Sequence, residues 1–248
     1  MIPIILSTAC YHDKYEKVID AAIRAIKPSH NINGIELSLL TKNECLDFEI
    51  NYELSEYSKK DNLIFIHAPA KSIVYLPKIE SNKVLHRLKC IYDELGAKNI
   101  VFHCENIISM DYLISEMKGY NISIENPDAK MANSKYFETI ENNMNNYPVN
   151  LTLDVEHARN DLPKFLKKGV VEKICEIHYS NYNPVFNHDS YNAVIERFHE
   201  IISAIKVINK PVVVEIDLRN DSALGKEFIK NSREIISKEI ELLRNNLK

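Results

Sequence analysis

The chain has 248 residues, 45% of them hydrophobic, enough to bury one sizeable core. Its charge is mixed, 31 Lys+Arg against 35 Asp+Glu for a formal −4, which argues against a protein that coats nucleic acid and leaves room only for a local basic rim. No basic-then-apolar leader follows Met1 and no run of about 18 apolar residues occurs, so a cytoplasmic chain with no membrane contact is expected.

In chain order, short β-branched runs recur at Ile2–Ser7, Gly34–Leu37, Leu63–His67, Ile100–His103, Ile122–Glu125, Leu151–Asp154, Ile174–His178 and Val212–Glu215. Each is nearly continuously apolar, as parallel strands buried on both faces are. Segments of helical periodicity lie between them: Asp13–Ile26, Lys83–Leu95, Asn133–Asn145, Tyr191–Ile208 and a closing Ser222–Leu247. Gly96 follows the second of these as a C-terminal cap would. Eight units in 248 residues leave about 31 residues each, the size of a strand, a helix and two short loops. No linker or glycine-rich phosphate loop interrupts the pattern. The expectation is a single α/β domain over residues 1–248, folded as a (β/α)8 TIM barrel. The five cysteines, Cys10, Cys45, Cys90, Cys104 and Cys175, are scattered and contain no CxxC pair, so they read as reduced thiols.

The polar residues fall at the ends of these runs. IFIHAPA ends at His67, IVFHCE at His103, ISIENPD at Glu125, LTLDVEHA at Asp154 with His157, EIHYSNY at His178 and VVVEIDL at Glu215, with His188 in the loop after the seventh run. A parallel barrel gathers all strand carboxyl ends on one face, where such folds place their chemistry. One strand-end histidine alone is ordinarily a hydrogen-bonded packing residue, and one carboxylate a helix cap. Six strand ends in register are different: three carboxylates and five imidazoles share a pocket only if cations compensate them. The remaining histidines are controls. His86 and His199 fall mid-helix, His30 precedes the second strand and His12 follows the first, near Thr8 and Cys10.

On these motifs the whole chain resembles the xylose-isomerase-like barrels, and within them the endonuclease IV branch. The HAP at His67, the strand-end His103, the EN at Glu125, the Asp-x-x-His of Asp154 and His157, the His-x-Ser-Asn at His178 and the terminal Glu215 follow that branch in order and approximate spacing. The resemblance implies a cluster of three zinc ions. His67 and His103 with a bridging Glu125 would hold the first, and Glu125, Asp154, His178 and Glu215 the second. His157 and His188 would hold the third, with an aspartate two residues before the last histidine. Phe186 occupies that position here, and Asp189 follows His188 directly, so a weaker third site is expected. Sugar isomerases and epimerases of the superfamily share only the four-ligand core. They generally carry an arginine soon after the third ligand, and YSNYNPVFNHD contains none.

Imidazoles mixed with carboxylates suit zinc first, and manganese or iron better than magnesium or calcium. Clustered divalent ions serve hydrolysis of a phosphate ester, with Glu125 and Glu215 as the catalytic carboxylates. Lys71, Lys78, Lys130, Arg159 and Arg219 are candidate phosphate contacts, and Tyr75 with Leu76 are candidate wedges for a base stack. The primary expectation is a metal-dependent hydrolase acting on a small phosphorylated substrate or abasic DNA, with no obligate protein partner. A single-metal sugar isomerase or epimerase is the alternative, and a non-catalytic metal- or ligand-binding barrel the third reading.

Overall fold

The computed structural model describes residues 1–11, 17–27, 31–128, 135–180, 195–216 and 228–248. Strands β1 (Ile4–Ser7), β2 (Gly34–Ser38), β3 (Leu63–His67), β4 (Asn99–His103), β5 (Ile122–Glu125), β6 (Asn150–Asp154), β7 (Ile174–Tyr179) and β8 (Val212–Val214) pair in chain order. All pairings are parallel and β8 closes on β1, giving the expected (β/α)8 barrel. Every apolar run became a strand, with ends displaced by at most two residues.

The helices are α1 (Val18–Ala25), α2 (Lys42–Asp47), α3 (Tyr52–Ser58), α4 (Ile79–Leu95), α5 (Met110–Glu116) and α6 (Tyr136–Asn146). The short α7 (Val155–Ala158), α8 (Leu162–Phe165) and α9 (Lys168–Val171) follow β6, and α10 (Ile195–Ile208) and α11 (Phe228–Asn246) complete the chain. Helix α4 shows how the sequence sets its limits. Val84, Leu85, Leu88, Ile91 and Leu95 recur at helical spacing and are buried against the barrel. Gly96 then takes the left-handed conformation (φ 59°), returning backbone N–H groups to Tyr92 and Asp93. Helix α2 starts at a capping box: Thr41 accepts from the Glu44 amide, and the Glu44 carboxylate accepts from the Thr41 amide. No described helix is long and apolar enough to cross a membrane.

Alternation along the strands separates two interiors. Ile4, Leu6, Ile35, Leu37, Ile64, Ile66, Ile100, Phe102, Leu151 and Leu153 face the helices and join one large apolar cluster. The side chains between them point into the barrel, where Ile5, Phe65 and Val213 form only a small plug. Beyond that plug the interior is polar: Ser7, Glu36, Ser38, Asn99, Ser123, Thr152 and Glu176 are all buried. The sequence reading, apolar on both strand faces, is therefore corrected for the inner face. A polar interior is tolerated because it is internally bonded. Asn99 donates to Ser123 Oγ (2.6 Å) and Glu176 Oε1 (3.0 Å), Thr152 donates to the same Glu176 oxygen (2.9 Å), and Ser7 and Ser38 share a hydrogen bond (2.7 Å).

Candidate metal centre

Strand register builds the site. Ser38 is paired with His67, His103 with Glu125, and Asp154 with His178, so their side chains emerge at the same carboxyl-end level. Between the other neighbours the register steps up along the strand: His67 pairs with Val101, Glu125 with Thr152 and His178 with Val213. This stagger is the tilt of a closed barrel, and it raises His103, Asp154 and Glu215 one inward position above their neighbours. Six strand ends thus converge, as the sequence implied.

Glu125 lies at the centre and is 2% exposed. Its Oε2 is 3.1 Å from His67 Nε2, 3.5 Å from His103 Nε2 and 3.8 Å from His178 Nδ1, while Oε1 is 3.2 Å from His157 Nδ1. His67 and His103 set their Nε2 atoms 3.2 Å apart. The other nitrogens of these two rings are engaged: His67 Nδ1 meets the Ala68 carbonyl at 3.1 Å and His103 Nδ1 meets Glu105 Oε1 at 3.2 Å. As neutral rings with Nδ1–H donating, both would present Nε2 lone pairs on the Glu125 side; protonated, His67 donates its Nε2–H to Glu125 Oε2. On the other side of Glu125, His178 Nδ1 lies 3.2 Å from Glu215 Oε2, and its Nε2 donates to Glu36 Oε2 at 3.0 Å.

Asp154 has two tasks. Its Oδ1 accepts from the His157 amide at 2.8 Å and caps α7, while Oδ2 is buried with no hydrogen-bond partner. Asn126, next to Glu125, clamps β5 to β6 by bonding both the amide (2.8 Å) and the carbonyl (3.0 Å) of Asp154. His157 Nδ1 faces the Asn126 carbonyl at 3.1 Å and Asp154 Oδ2 at 3.6 Å.

The electrostatics favour positive charge here. Burial alone would lower the His67 pKa, but the hydrogen bond to Glu125 and the charges of Glu36, Glu125 and Glu215 lift it to about 9. His157 and His178 are likewise buried, and carboxylates led by Asp154 and Glu36 respectively hold them well above the ordinary imidazole value. Burial works against ionised Glu125 as well, yet the surrounding imidazoles keep it well below the usual carboxylate range. Deeper in the barrel, burial and then the charge of Glu36 push Glu176 up to about 7.

Imidazole nitrogens gathered round one carboxylate, a buried Asp154 oxygen with no hydrogen bond and a mixed imidazole–carboxylate donor set all fit divalent cations. His67, Glu125 and His178 each bring one ligand atom within 4.8 Å of the others, as do Asp154, His178 and Glu215, and Glu125, Asp154 and His157. His67, His103, Glu125, His157 and Glu215 line a cavity of about 160 Å³, together with the exposed Lys71.

Other candidates separate clearly. Tyr75 is fully buried, donates to the Pro69 carbonyl and packs edge-on against Phe102, so it is not a wedge or a substrate contact. Arg159 is also withdrawn from substrate: it is 7% exposed and ion-paired to Glu156 (3.1 Å) and Asp128 (3.3 Å). Lys78 lines a neighbouring groove with Lys42. Thr8 and Cys10 are buried and bonded to the backbone of β2 and of the β8 end. His86 and His199 are exposed on α4 and α10. His188, Phe186, Asp189, Arg219, Lys130, His12 and His30 lie outside the described residues.

Sequence reasoning missed Glu36, Glu176 and Glu156, each with no solvent exposure. The signal was present for the first two: a carboxylate inside a buried strand run (GIELS, ICEIHY) must have a partner.

No family model matches the chain, and no curated protein does either. Solved structures do. An L-ribulose 3-epimerase superposes with a TM-score of 0.70 at 11% identity, covering 100% of this chain and 95% of that one. The probable 3-DHS dehydratase AsbF from Bacillus anthracis gives 0.69 at 12%, covering 98% and 99%. Endonuclease IV from Thermus thermophilus gives 0.65 at 11%, covering 99% and 98%. At such identities the similarity is one of fold: the chain shares the (β/α)8 barrel on which this epimerase, this dehydratase and this endonuclease IV are built.

Proposed function

We propose that this protein is a metal-dependent phosphoesterase whose centre holds two or more divalent ions, zinc foremost. The observation that carries the reading is the paired imidazoles. His67 and His103 direct Nε2 atoms 3.2 Å apart at Glu125, while Asp154, His178 and Glu215 form a second donor group, so one carboxylate serves both. A single metal ion would take its ligands from the second group alone and leave the first without an ion. The motif order shared with endonuclease IV supports the same choice.

Ions bound there would acidify a water and neutralise charge on a phosphate ester. The chain's own residues do the rest. Glu125 joins the two donor groups and fixes their separation. Glu215, whose side chain is 15% exposed, reaches the cavity and is placed to orient the attacking water and hold its proton. Lys71 supplies a cation at the mouth for the substrate's phosphate. With Tyr75 buried and Arg159 ion-paired, two of the contacts a duplex would need are withdrawn. A small phosphorylated substrate is therefore favoured over abasic DNA.

A sugar epimerase is the second reading, because Asp154, His178 and Glu215 form a donor group without His67 or His103, with Glu125 3.8 Å from His178, and an epimerase is among the fold neighbours. Metal analysis and three assays separate the readings: a chromogenic phosphodiester, a nicked-product assay on abasic duplex, and ketohexose epimerisation. The expected result is at least two ions per chain and phosphodiester hydrolysis. Glu125→Gln should reduce that hydrolysis by roughly 100-fold or more, since even outer-shell changes at metal sites cost about 10–100-fold. His67→Ala should lose one ion and the hydrolysis together. One ion per chain, with epimerisation that survives His67→Ala, would establish the second reading instead. Inertness in all three assays would leave a binding barrel.

A further inference from the structure

Strand β2 supplies none of the donors above, yet it sets a carboxylate against one of them. Glu36 points into the barrel, has no solvent exposure, and accepts the Nε2–H of His178 at 3.0 Å. Among the described residues it forms no ion pair with a lysine or arginine; its charge is directed at this imidazole. A neutral imidazole has one N–H, so donation from Nε2 leaves the lone pair on Nδ1. Nδ1 is the nitrogen that faces Glu215 at 3.2 Å and Glu125 at 3.8 Å.

The other histidines of the centre are held differently. The Nδ1 atoms of His67 and His157 lie against backbone carbonyls, of Ala68 and Asn126, and that of His103 against the exposed Glu105. Among the described residues, His178 is the one whose far nitrogen, turned away from Glu125 and Glu215, lies within hydrogen-bond distance of a carboxylate with no solvent exposure; His157 Nε2 stands farther, 4.0 Å, from the buried Glu156. A carboxylate behind a ligating imidazole holds the ring, selects its tautomer and raises the basicity of the ligating nitrogen.

We propose that Glu36 is the positioning residue of this centre, fixing His178 as the Nε2–H tautomer so that Nδ1 is presented to the ion held with Asp154 and Glu215. This rests on the reading of the pocket as a metal centre and holds equally for a hydrolase or an epimerase. In this role Glu36 acts through His178 and not as a ligand, although Glu36, Glu176 and His178 also bring ligand atoms within 4.8 Å of one another.

Two substitutions test it. Glu36→Gln keeps the shape and an acceptor but removes the charge, and Glu36→Met removes the acceptor. Zinc and manganese affinities are measured by titration in competition with a chelator, beside the melting temperature of the metal-free protein. The expected result is a loss of affinity at one site of about 10–100-fold for Glu36→Met and a smaller loss for Glu36→Gln. The second site, built on His67 and His103, should keep its affinity. Nitrogen-15 spectra of the zinc-loaded wild type should show His178 protonated on Nε2 and ligating through Nδ1, a readout that stands if Glu36→Met fails to fold. Unchanged affinities with only a lower melting temperature, or ligation through Nε2, would overturn the positioning role while leaving the metal centre intact. A wild-type protein that binds no ion would overturn both.

Discussion

Glu176 shows what one buried residue can do to the whole stability curve. One of its oxygens is bonded to Asn99 and Thr152 and the other has no partner. Burial and the neighbouring Glu36 charge raise its pKa from 4.5 to about 7. The folded state therefore binds this proton more tightly than the unfolded state. The resulting stabilisation is complete below the ordinary carboxyl value and is lost as pH rises through about 7. Glu176→Gln keeps an acceptor for Asn99 and Thr152 without the charge. In chelator, its melting temperature should exceed that of the wild type by a margin that grows between about pH 5 and about pH 8. Parallel curves would show that the carboxyl titrates as it does in the unfolded chain. At the same scale, Arg159 holds a left-handed φ of 45° that costs a non-glycine residue on the order of 1–3 kcal/mol. Its ion pairs to Glu156 and Asp128 hold it there, which is why a residue that looks like a phosphate contact in the sequence is structural in the fold.

Among the elements, the pairing of β2 with β3 is the most exposed to a single methyl group. A Cβ at Gly34 would lie 1.9 Å from the Leu63 carbonyl oxygen, which is backbone and cannot swing aside. Gly34→Ala must push β2 off β3, and these strands carry Glu36 and His67. A loss of about 1–3 kcal/mol, as for other overpacked cores, is expected in urea unfolding, together with weakened metal binding. Gly169 in the exposed helix α9 meets nothing within 4 Å, so Gly169→Ala should be neutral or gain about 0.5–1 kcal/mol. Equal effects at the two positions would mean that β2 can shift without cost. Helices α2, α3 and α5, at six or seven residues, were not legible as periodic segments because they span under two turns. Their caps were legible in principle: Thr41 with Glu44, Asn51 and Ser109 each accept from a first-turn amide.

Across the whole barrel, the candidate centre ties together six of the eight strands, β3 to β8. A ligand that binds only the folded barrel stabilises it, by about 2.7 kcal/mol when free metal exceeds its dissociation constant 100-fold. Chelator-treated protein should therefore melt several degrees higher when zinc is restored. That rise should shrink in His178→Ala, which removes a donor shared by several of the ligand groups. A melting temperature indifferent to zinc and manganese in the wild type would argue that the imidazoles and carboxylates only neutralise one another.

The architecture and the six strand-end residues of the candidate centre are written in the chain itself. Eight apolar runs of strand length, separated by helical segments, admit few topologies, and parallel strands must place their carboxyl ends on one face. His67, His103, Glu125, Asp154, His178 and Glu215 were therefore neighbours before any coordinate was known. Features that depend on distances between residues far apart in the chain needed the fold. Burial of Tyr75 against Phe102 and the ion pairing of Arg159 come from packing, which local periodicity does not encode. The same holds for Glu36 and His178, 142 residues apart, whose hydrogen bond exists because barrel closure brings the inner faces of β2 and β7 across one narrow polar interior.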